Sequence, residues 1–173
     1  MNEVQYSLKQ ILSTLLKNKG NKIKKRLIFD QSPIGGISSK WIMVFFISLP
    51  ILLYIGIFNP AVFDMLGIAQ AIIFYIVFLS MVMILIMAVT FINNNKVLRA
   101  IKPSWQQYFP DVEIKQVISS GNSPYKAFFS YYQEALDQGL EGDSLHEYLK
   151  EAIVKMEEEN KDLIEMMGKA RNA

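Results

Sequence analysis

Two long apolar runs constrain this chain more than any other feature of its sequence. Residues 41–58 and 67–92 contain no Asp, Glu, Lys or Arg. At a rise of about 1.5 Å per residue, helices of these lengths extend roughly 27 Å and 39 Å, and the hydrocarbon core of a bilayer is about 30 Å thick. Neither run has the polar stripe of a soluble amphipathic helix. The pattern therefore predicts two membrane-spanning helices, with Pro50 tolerated inside the first.

The segment between the runs, residues 59–66, is too short to form a domain. It begins with Asn59 and Pro60, a turn signal, so the two spans are predicted to form an antiparallel hairpin joined by a short loop. Asp64 is the only charged residue of this loop, and we expect it to keep the loop in water. The predicted fold class is an all-α membrane protein, in which an amphipathic N-terminal helix, this transmembrane hairpin and a small, mainly helical C-terminal module follow one another.

Basic residues flank the pair of apolar runs, and none lies between them. Residues 1–40 contain eight Lys or Arg, and six of these fall within the run KNKGNKIKKR at residues 17–26. The positive-inside rule predicts that both termini are cytoplasmic and that the loop 59–66 faces outward. The residues expected to set this topology and to contact anionic headgroups are Lys22, Lys24, Lys25, Arg26, Lys40, Lys96, Arg99 and Lys102.

The same basic run also fits a nucleic-acid contact. It has no interleaved aromatic side chain and only two amide side chains, Asn18 and Asn21, that would read bases, and an apolar run follows it. We therefore expect the partner of the run to be the lipid bilayer and expect no nucleic acid.

Residues 1–40 form the predicted N-terminal arm. Its first part has one apolar helical face, and Gly20 is the predicted helix stop. An amphipathic helix followed by a basic run is typical of an element lying in the membrane interface, and docking on the C-terminal region or on a partner protein is the alternative. Residues 32–39 are predicted to be a flexible joint before the first span. The apolar face comprises Val4, Leu8, Ile11, Leu12 and Leu15.

The region 93–173 is predicted to be cytoplasmic and mainly helical. The second span is expected to continue to about Lys102, because Pro103 disfavours a helical conformation at the residue before it. The pattern at 111–118 favours a short strand or extended segment over a short helix. An acidic C-terminal helix and the basic arm carry opposite charge, so the two would attract each other if they met.

Two further helices have recognisable start signals. Ser123 and Pro124 are typical of a capped helix start, with proline in the first turn. Ser144 and Glu147 have the spacing of a capping box for a second helix. Glu159 and Asn160 interrupt the apolar pattern of that helix.

Aromatic residues are dense in the C-terminal region, more so than a small core should need. Tyr and Trp often anchor protein contacts, so we expect an exposed aromatic patch there. Trp105, Tyr108 and Phe109 would alternatively lie at the lipid interface or in the core of a small domain. The candidate partner-contact residues are Trp105, Tyr108, Phe109, Phe128, Tyr131 and Tyr132.

No motif in the sequence indicates catalysis. The chain has no cysteine, and His146 is its only histidine. The stretch PIGGIS lacks the lysine and the spacing of a phosphate-binding loop. Neither apolar run contains an Asp, Glu, Lys or Arg that would mark an ion or proton path. We therefore predict a protein that is not an enzyme and that has no catalytic, cofactor-binding or metal site.

The overall organisation resembles that of small accessory proteins of the bacterial inner membrane, among them conjugative exclusion proteins and bacteriocin immunity proteins. This resemblance rests on architecture without a motif. It implies a non-catalytic protein of the inner membrane that acts by contact with another membrane or envelope protein. The alternative is a small subunit or assembly factor of a transport or secretion complex, and a homo-oligomer is compatible with either reading.

Overall fold

The computed structural model describes residues 6–19, 22–29 and 39–172, with side chains described to Met166. The protein is mostly helical, with 75% of it in helices. The described residues fall into two compact units. The first, here called the terminal unit, is drawn from Met1–Arg26 and Leu98–Ala173, and the second, the apolar-helix unit, is Leu27–Val97. Val4, Gly20 and residues 32–38 of the predicted joint 32–39 lie outside the described residues, and Ser39 is the first residue of the helix that follows.

The amphipathic helix of the arm is α1, Leu8–Leu15. A capping box opens it: the Ser7 hydroxyl accepts the Gln10 amide at 3.3 Å, and the Gln10 side chain accepts the Ser7 amide at 2.9 Å. The helix ends at Leu15, before the predicted stop, because Leu16 is already extended. Its apolar face is buried in the terminal unit through Leu8, Ile11, Leu12 and Leu15.

The basic run forms a β-hairpin, so the all-α expectation is wrong for this segment. Strand β1, Leu16–Asn18, pairs antiparallel with β2, Ile23–Lys25. The ladder is extended at one end by a 2.8 Å hydrogen bond from Arg26 N to Leu15 O. Leu16 is 4% exposed, so the hairpin contributes to the core of the terminal unit.

The apolar-helix unit contains α2, Ser39–Ile57, and α3, Pro60–Leu66, and most of α4, Ile68–Tyr108. The segment predicted as a loop is the helix α3. Asn59 caps it, with its Oδ1 accepting the Ala61 amide at 3.1 Å, and Pro60 occupies the first turn. Gly67, at φ 75°, separates α3 from α4 in a conformation that favours glycine.

Helices α2 and α4 are long and apolar enough to cross a membrane. Only 6% of the most apolar window of each helix is buried. Ile55 and Ile84 illustrate this, being 62% and 61% exposed. Apolar surface of this extent is unfavourable in water and favourable in hydrocarbon. The described contacts between the two helices include Tyr54 and Tyr75, whose ring centres lie 6.2 Å apart.

Helix α4 runs for 41 residues and contains Pro103, so the predicted end at Lys102 is wrong. Proline removes one helical hydrogen bond and crowds the preceding turn. Beyond it, Ser104 and Trp105 are buried in the terminal unit at 2% and 1% exposure. Burial of Ser104 and Trp105 offsets the free-energy cost of having proline inside the helix.

A short segment before α2 is tied to α4 within the apolar-helix unit. Asn94 accepts the Phe29 amide at 2.9 Å and donates to the Leu27 carbonyl at 2.9 Å. Asn93 donates to the Phe29 carbonyl at 3.2 Å. The two amide side chains thus provide the backbone of residues 27–29 with hydrogen bonds that a neighbouring strand would otherwise supply.

The remaining helices are α5, Ile114–Val117, α6, Phe128–Asp137, α7, Gly142–Glu159, and α8, Lys161–Asn172. The predicted strand at 111–118 is therefore wrong, since α5 buries Ile114 and Val117. Helices α1 and α6 both pack against α7. The predicted break at Glu159 and Asn160 is the junction between α7 and α8.

The two predicted helix starts differ from the observed ones. The Ser123 hydroxyl accepts the Tyr125 amide at 3.2 Å, but this caps a turn, and α6 begins later at Phe128. The capping box at Ser144 is wrong, because α7 begins at Gly142 and Ser144 lies inside it. Gly142 has a φ of 59°, which permits the sharp entry into the helix.

Candidate functional site

Four of the six aromatic residues expected to contact a partner are interior. Trp105, Phe109, Phe128 and Tyr132 are between 0% and 5% exposed. The Trp105 ring lies 4.6 Å from that of Phe109 and 6.2 Å from that of Phe128. These four residues belong to the core of the terminal unit. They therefore do not form the exposed aromatic patch that the sequence predicted. Their side chains are unavailable to a partner in this conformation.

Tyr108 is half-buried and packs on the single histidine. The rings of Tyr108 and His146 meet edge to face at 5.3 Å, and Phe109 lies at the same distance from His146. The Nε2 atom of His146 lies 2.9 Å from the Tyr108 carbonyl oxygen. These contacts give His146 a packing role between α4 and α7.

Tyr131, the remaining candidate, belongs to a polar aromatic patch on α6 and α7. The Tyr148 hydroxyl donates to Glu134 at 2.8 Å, which ties α7 to α6. The Lys155 ammonium lies 5.7 Å from the centre of the Tyr131 ring, within the range of a cation–π contact. We call Tyr131, Glu134, Tyr148 and Lys155 the tyrosine patch.

The electrostatics of the tyrosine patch follow from these pairings. The hydrogen bond to Glu134 raises the pKa of Tyr148 to about 12, because the carboxylate opposes a second negative charge. The hydrogen bond with Tyr131 raises the pKa of Lys155. At neutral pH the Tyr148 hydroxyl is therefore protonated and uncharged, and Lys155 carries a positive charge. The patch offers two phenol rings, a cation and a carboxylate, which is chemistry suited to protein recognition.

The basic hairpin carries a second surface. Lys17 and Lys24 are direct cross-strand partners, and Lys19 N donates to Lys22 O at 3.0 Å in the same register. Because alternate residues of a strand share a face, these four side chains lie on one side of the hairpin, opposite Leu16 and Ile23. All four lysines are exposed. We call Lys17, Lys19, Lys22 and Lys24 the lysine face.

The other basic residues expected to contact lipid are distributed along the chain. Arg26 donates from Nε to the Leu16 carbonyl at 3.0 Å, so it helps to close the hairpin. Lys40 lies in the first turn of α2, and Lys25 is the last residue of β2. Three more lie along the second half of α4: Lys96, Arg99 and Lys102. Asp64 is exposed on α3.

A cleft of about 560 Å³ lies between β2 and α6. Ile23 and Phe129 are its apolar lining residues, and Lys22 and Lys24 line it as well. In this cleft, Gln133 donates to Asp137 at 2.8 Å, and its buried Oε1 atom has no hydrogen-bond partner. Among the described residues, no group of His, Cys, Asp and Glu side chains could hold a metal ion.

Among the described residues, one ion pair joins the arm to the C-terminal helices. Lys9 on α1 contacts Glu141, which precedes α7, and Lys9 lowers the pKa of that carboxylate. Both side chains are about two-thirds exposed, so the pair adds little to stability. Burial of the α1 face, which the sequence left undecided between lipid and protein, is the larger interaction.

Comparison of the chain with protein-family models, curated proteins and solved structures gives no match.

Sequence reasoning missed three features that this geometry shows. The lysine face left only a three-residue alternation in the sequence, Lys22, Ile23 and Lys24, within a run that is basic throughout. Tyr148 was not among the candidate contact residues; along α7 it lies three residues after Leu145 and one residue before Leu149. The pairing of Asn94 with residues 27–29 had no local signal, because it joins distant segments.

Proposed function

We propose that this protein is a non-catalytic membrane accessory protein that acts by contact with another membrane or envelope protein. The observation that carries the proposal is that one chain contains both an exposed apolar surface and a separately folded unit with a polar surface. Helices α2 and α4 expose apolar side chains suited to lipid, and the terminal unit has its own buried core and a polar aromatic patch. A lipid-embedded anchor with a folded recognition unit is typical of such proteins.

The proposed topology is a two-span hairpin with both termini on the cytoplasmic side of a bacterial inner membrane. The terminal unit supports this topology, because it is built from segments on both sides of the apolar helices in the sequence. Residues before α2 and residues after the apolar part of α4 share one compact core. Segments that share a core lie on the same side of a bilayer, so the chain between them crosses an even number of times. The basic flanks favour the cytoplasmic side.

The proposed contact surface is the tyrosine patch. Tyrosine combines a large rigid ring with a polar tip and is enriched where proteins meet. Tyr131 and Tyr148 are half-buried, so their ring edges remain accessible while their positions are fixed by Lys155 and Glu134. Inhibition of an incoming or toxic partner, as in conjugative exclusion or immunity, is the specific role proposed.

Single cysteines test the topology, because the chain has none of its own. Asp64→Cys and Ser144→Cys place a thiol at exposed positions of α3 and α7. With a membrane-impermeant maleimide, we expect Asp64→Cys to be labelled in intact cells and Ser144→Cys only after permeabilisation. Labelling of Ser144→Cys in intact cells would contradict the proposed orientation.

Photo-crosslinking in cells tests the contact surface. A photoreactive residue at Tyr131 is expected to capture a protein partner, and the same residue at the exposed position Lys115 on α5 serves as a control. Tyr148→Ala is expected to reduce capture at Tyr131 at least fivefold, because an anchoring tyrosine contributes more than about 1 kcal/mol. Capture confined to exposed positions of α4, such as Ile84, would place recognition in the spans and refute the tyrosine patch.

If the captured protein belongs to a transport or secretion complex and its activity requires this chain, the alternative role as a small subunit or assembly factor is favoured. If the captured protein is blocked by this chain, the inhibitory role is favoured.

A further inference from the structure

The lysine face concentrates positive charge that the described part of the protein does not neutralise. Lys17 and Lys24 are directly opposite each other in the ladder. Like charges in this relation destabilise a strand pair. Among the described residues, the one ion pair is that of Lys9 with Glu141, so none of the four lysines has a carboxylate within 4.0 Å.

Two carboxylates line the cleft together with Lys22 and Lys24, and each accepts a hydrogen bond from a neutral side chain. Glu134 accepts the Tyr148 hydroxyl at 2.8 Å, and Asp137 accepts the Gln133 amide at 2.8 Å. The hairpin is held in a register that brings lysines together, and among the described residues no carboxylate forms an ion pair with them. Such an arrangement is favourable when an external anion occupies the face.

We propose that the lysine face binds the phosphate groups of anionic phospholipids. This inference rests on the membrane placement in the proposed function, and it is independent of the partner contact at the tyrosine patch. Its chemistry is that of ammonium groups with phosphate, and a bilayer surface presents phosphates side by side for all four lysines. Arg26 is not included, because its Nε donates to the Leu16 carbonyl.

Chain connectivity favours lipid over other polyanions. Only Lys25 and Arg26 separate Lys24 from Leu27, the first residue of the apolar-helix unit. Leu27 is 80% exposed although it is apolar, and Asn94 holds its backbone. In the sequence, a basic segment that leads directly into an apolar segment is typical of an element at a lipid interface.

The test uses the full chain in a neutral detergent, titrated with phosphatidylglycerol or with phosphatidylcholine while thermal unfolding is followed. We expect phosphatidylglycerol to raise the unfolding midpoint at lower concentration than phosphatidylcholine. In the quadruple variant Lys17→Gln, Lys19→Gln, Lys22→Gln and Lys24→Gln, the half-effective concentration of phosphatidylglycerol is expected to rise by about tenfold or more. The matched control neutralises four exposed lysines elsewhere: Lys115, Lys126, Lys150 and Lys161.

A double variant, Lys17→Gln with Lys24→Gln, keeps the test decisive if the quadruple variant fails to fold. Removing the cross-strand repulsion should leave the midpoint without lipid unchanged or higher. The same variant should need about fivefold more phosphatidylglycerol. The proposal would be overturned if the double variant responded to phosphatidylglycerol as the wild type does. It would also be overturned if the control variant lost as much response to phosphatidylglycerol as the quadruple variant.

Two further arms separate the sources of phosphate. Inorganic phosphate at the same phosphate concentration is expected to have no effect, and an equal effect would show a site for free phosphate instead. Duplex DNA that binds more tightly than phosphatidylglycerol at equal ionic strength would likewise overturn the assignment to lipid. Failure of the membrane placement is distinguishable, because the wild type would then not incorporate into phosphatidylcholine nanodiscs at all.

Discussion

The indole Nε1 of Trp105 donates a hydrogen bond of 2.7 Å to the carbonyl oxygen of Val112, and both residues are buried. The bond joins the end of α4 to the segment that leaves it. It also satisfies a carbonyl that has lost access to water, which a ring without a donor could not do. One interior side chain therefore helps to hold the segment that follows α4.

Replacing that side chain removes the donor and keeps an aromatic ring. Trp105→Phe is expected to destabilise the protein by about 1–3 kcal/mol for the unsatisfied carbonyl, with a further cost for the smaller ring. Denaturant unfolding of the full chain in mild detergent measures this. Trp41→Phe is the control, since Trp41 is 71% exposed and its replacement should change the stability by less than about 0.5 kcal/mol.

The arm contributes to the core of the terminal unit, and Ile11 tests this. Ile11 is fully buried, so Ile11→Ala is expected to cost about 2–5 kcal/mol in the same unfolding experiment. Ser13→Ala, at an exposed position of the same helix, should be close to neutral. An unchanged stability for Ile11→Ala would mean that α1 lies in lipid or on a partner.

Asn94 holds the segment 27–29 through two hydrogen bonds. Asn94→Ala should expose the Phe29 amide, and hydrogen exchange of a peptide covering this segment is expected to become at least about tenfold faster, because each neutral hydrogen bond contributes about 1 kcal/mol. Asn95→Ala, one residue further along α4, serves as the control. Equal exchange in both variants would show that the two hydrogen bonds do not hold this segment.

Alkaline pH should weaken the contact between α6 and α7. The pKa of Tyr148 is raised to about 12 in the folded protein, from 10.0 for an ordinary tyrosine. Burial and the hydrogen bond to Glu157 likewise raise the pKa of Tyr125. A raised pKa means that the folded state holds its proton more tightly, so this stability is complete below pH 10.0 and is lost as the pH rises through the folded pKa.

The measurement is the unfolding midpoint of the full chain between pH 9 and pH 12, together with the tyrosinate absorbance. Tyr148→Phe should reduce the dependence of the midpoint on pH in this range. Glu134→Gln should let Tyr148 ionise at lower pH, because the opposing negative charge is gone. A pH dependence identical to that of the wild type in both variants would contradict the role given to this pair.

Features with a local cause were the ones that the sequence predicted well. The bounds of α2 follow from an uninterrupted apolar run and agree with the prediction to within two residues. The apolar period of α1 predicted its buried face through Ile11 and Leu12. Composition and periodicity determine such elements over a few turns, and the rest of the molecule has little influence on them.

Features decided by distant contacts were not predicted. The continuation of α4 through Pro103 depends on burial of Trp105 by other elements, which outweighs a local preference. The hairpin β1–β2 pairs strands of three residues each, too short for a clear alternation. The tyrosine patch joins α6 to α7 through Tyr148 and Glu134, and no spacing along one helix indicates a contact between two helices.

The terminal unit is assembled from both ends of the chain, and this has a consequence for biosynthesis. Residues 27–97 are synthesised after α1 and before the helices that cover it. At about 5–20 residues per second, this interval lasts roughly 4–14 s. During that time the apolar face of α1 has no native partner, so a chaperone or the membrane surface is available to it first. The newly made arm is thus exposed to proteolysis and aggregation until the later helices of the terminal unit have been synthesised.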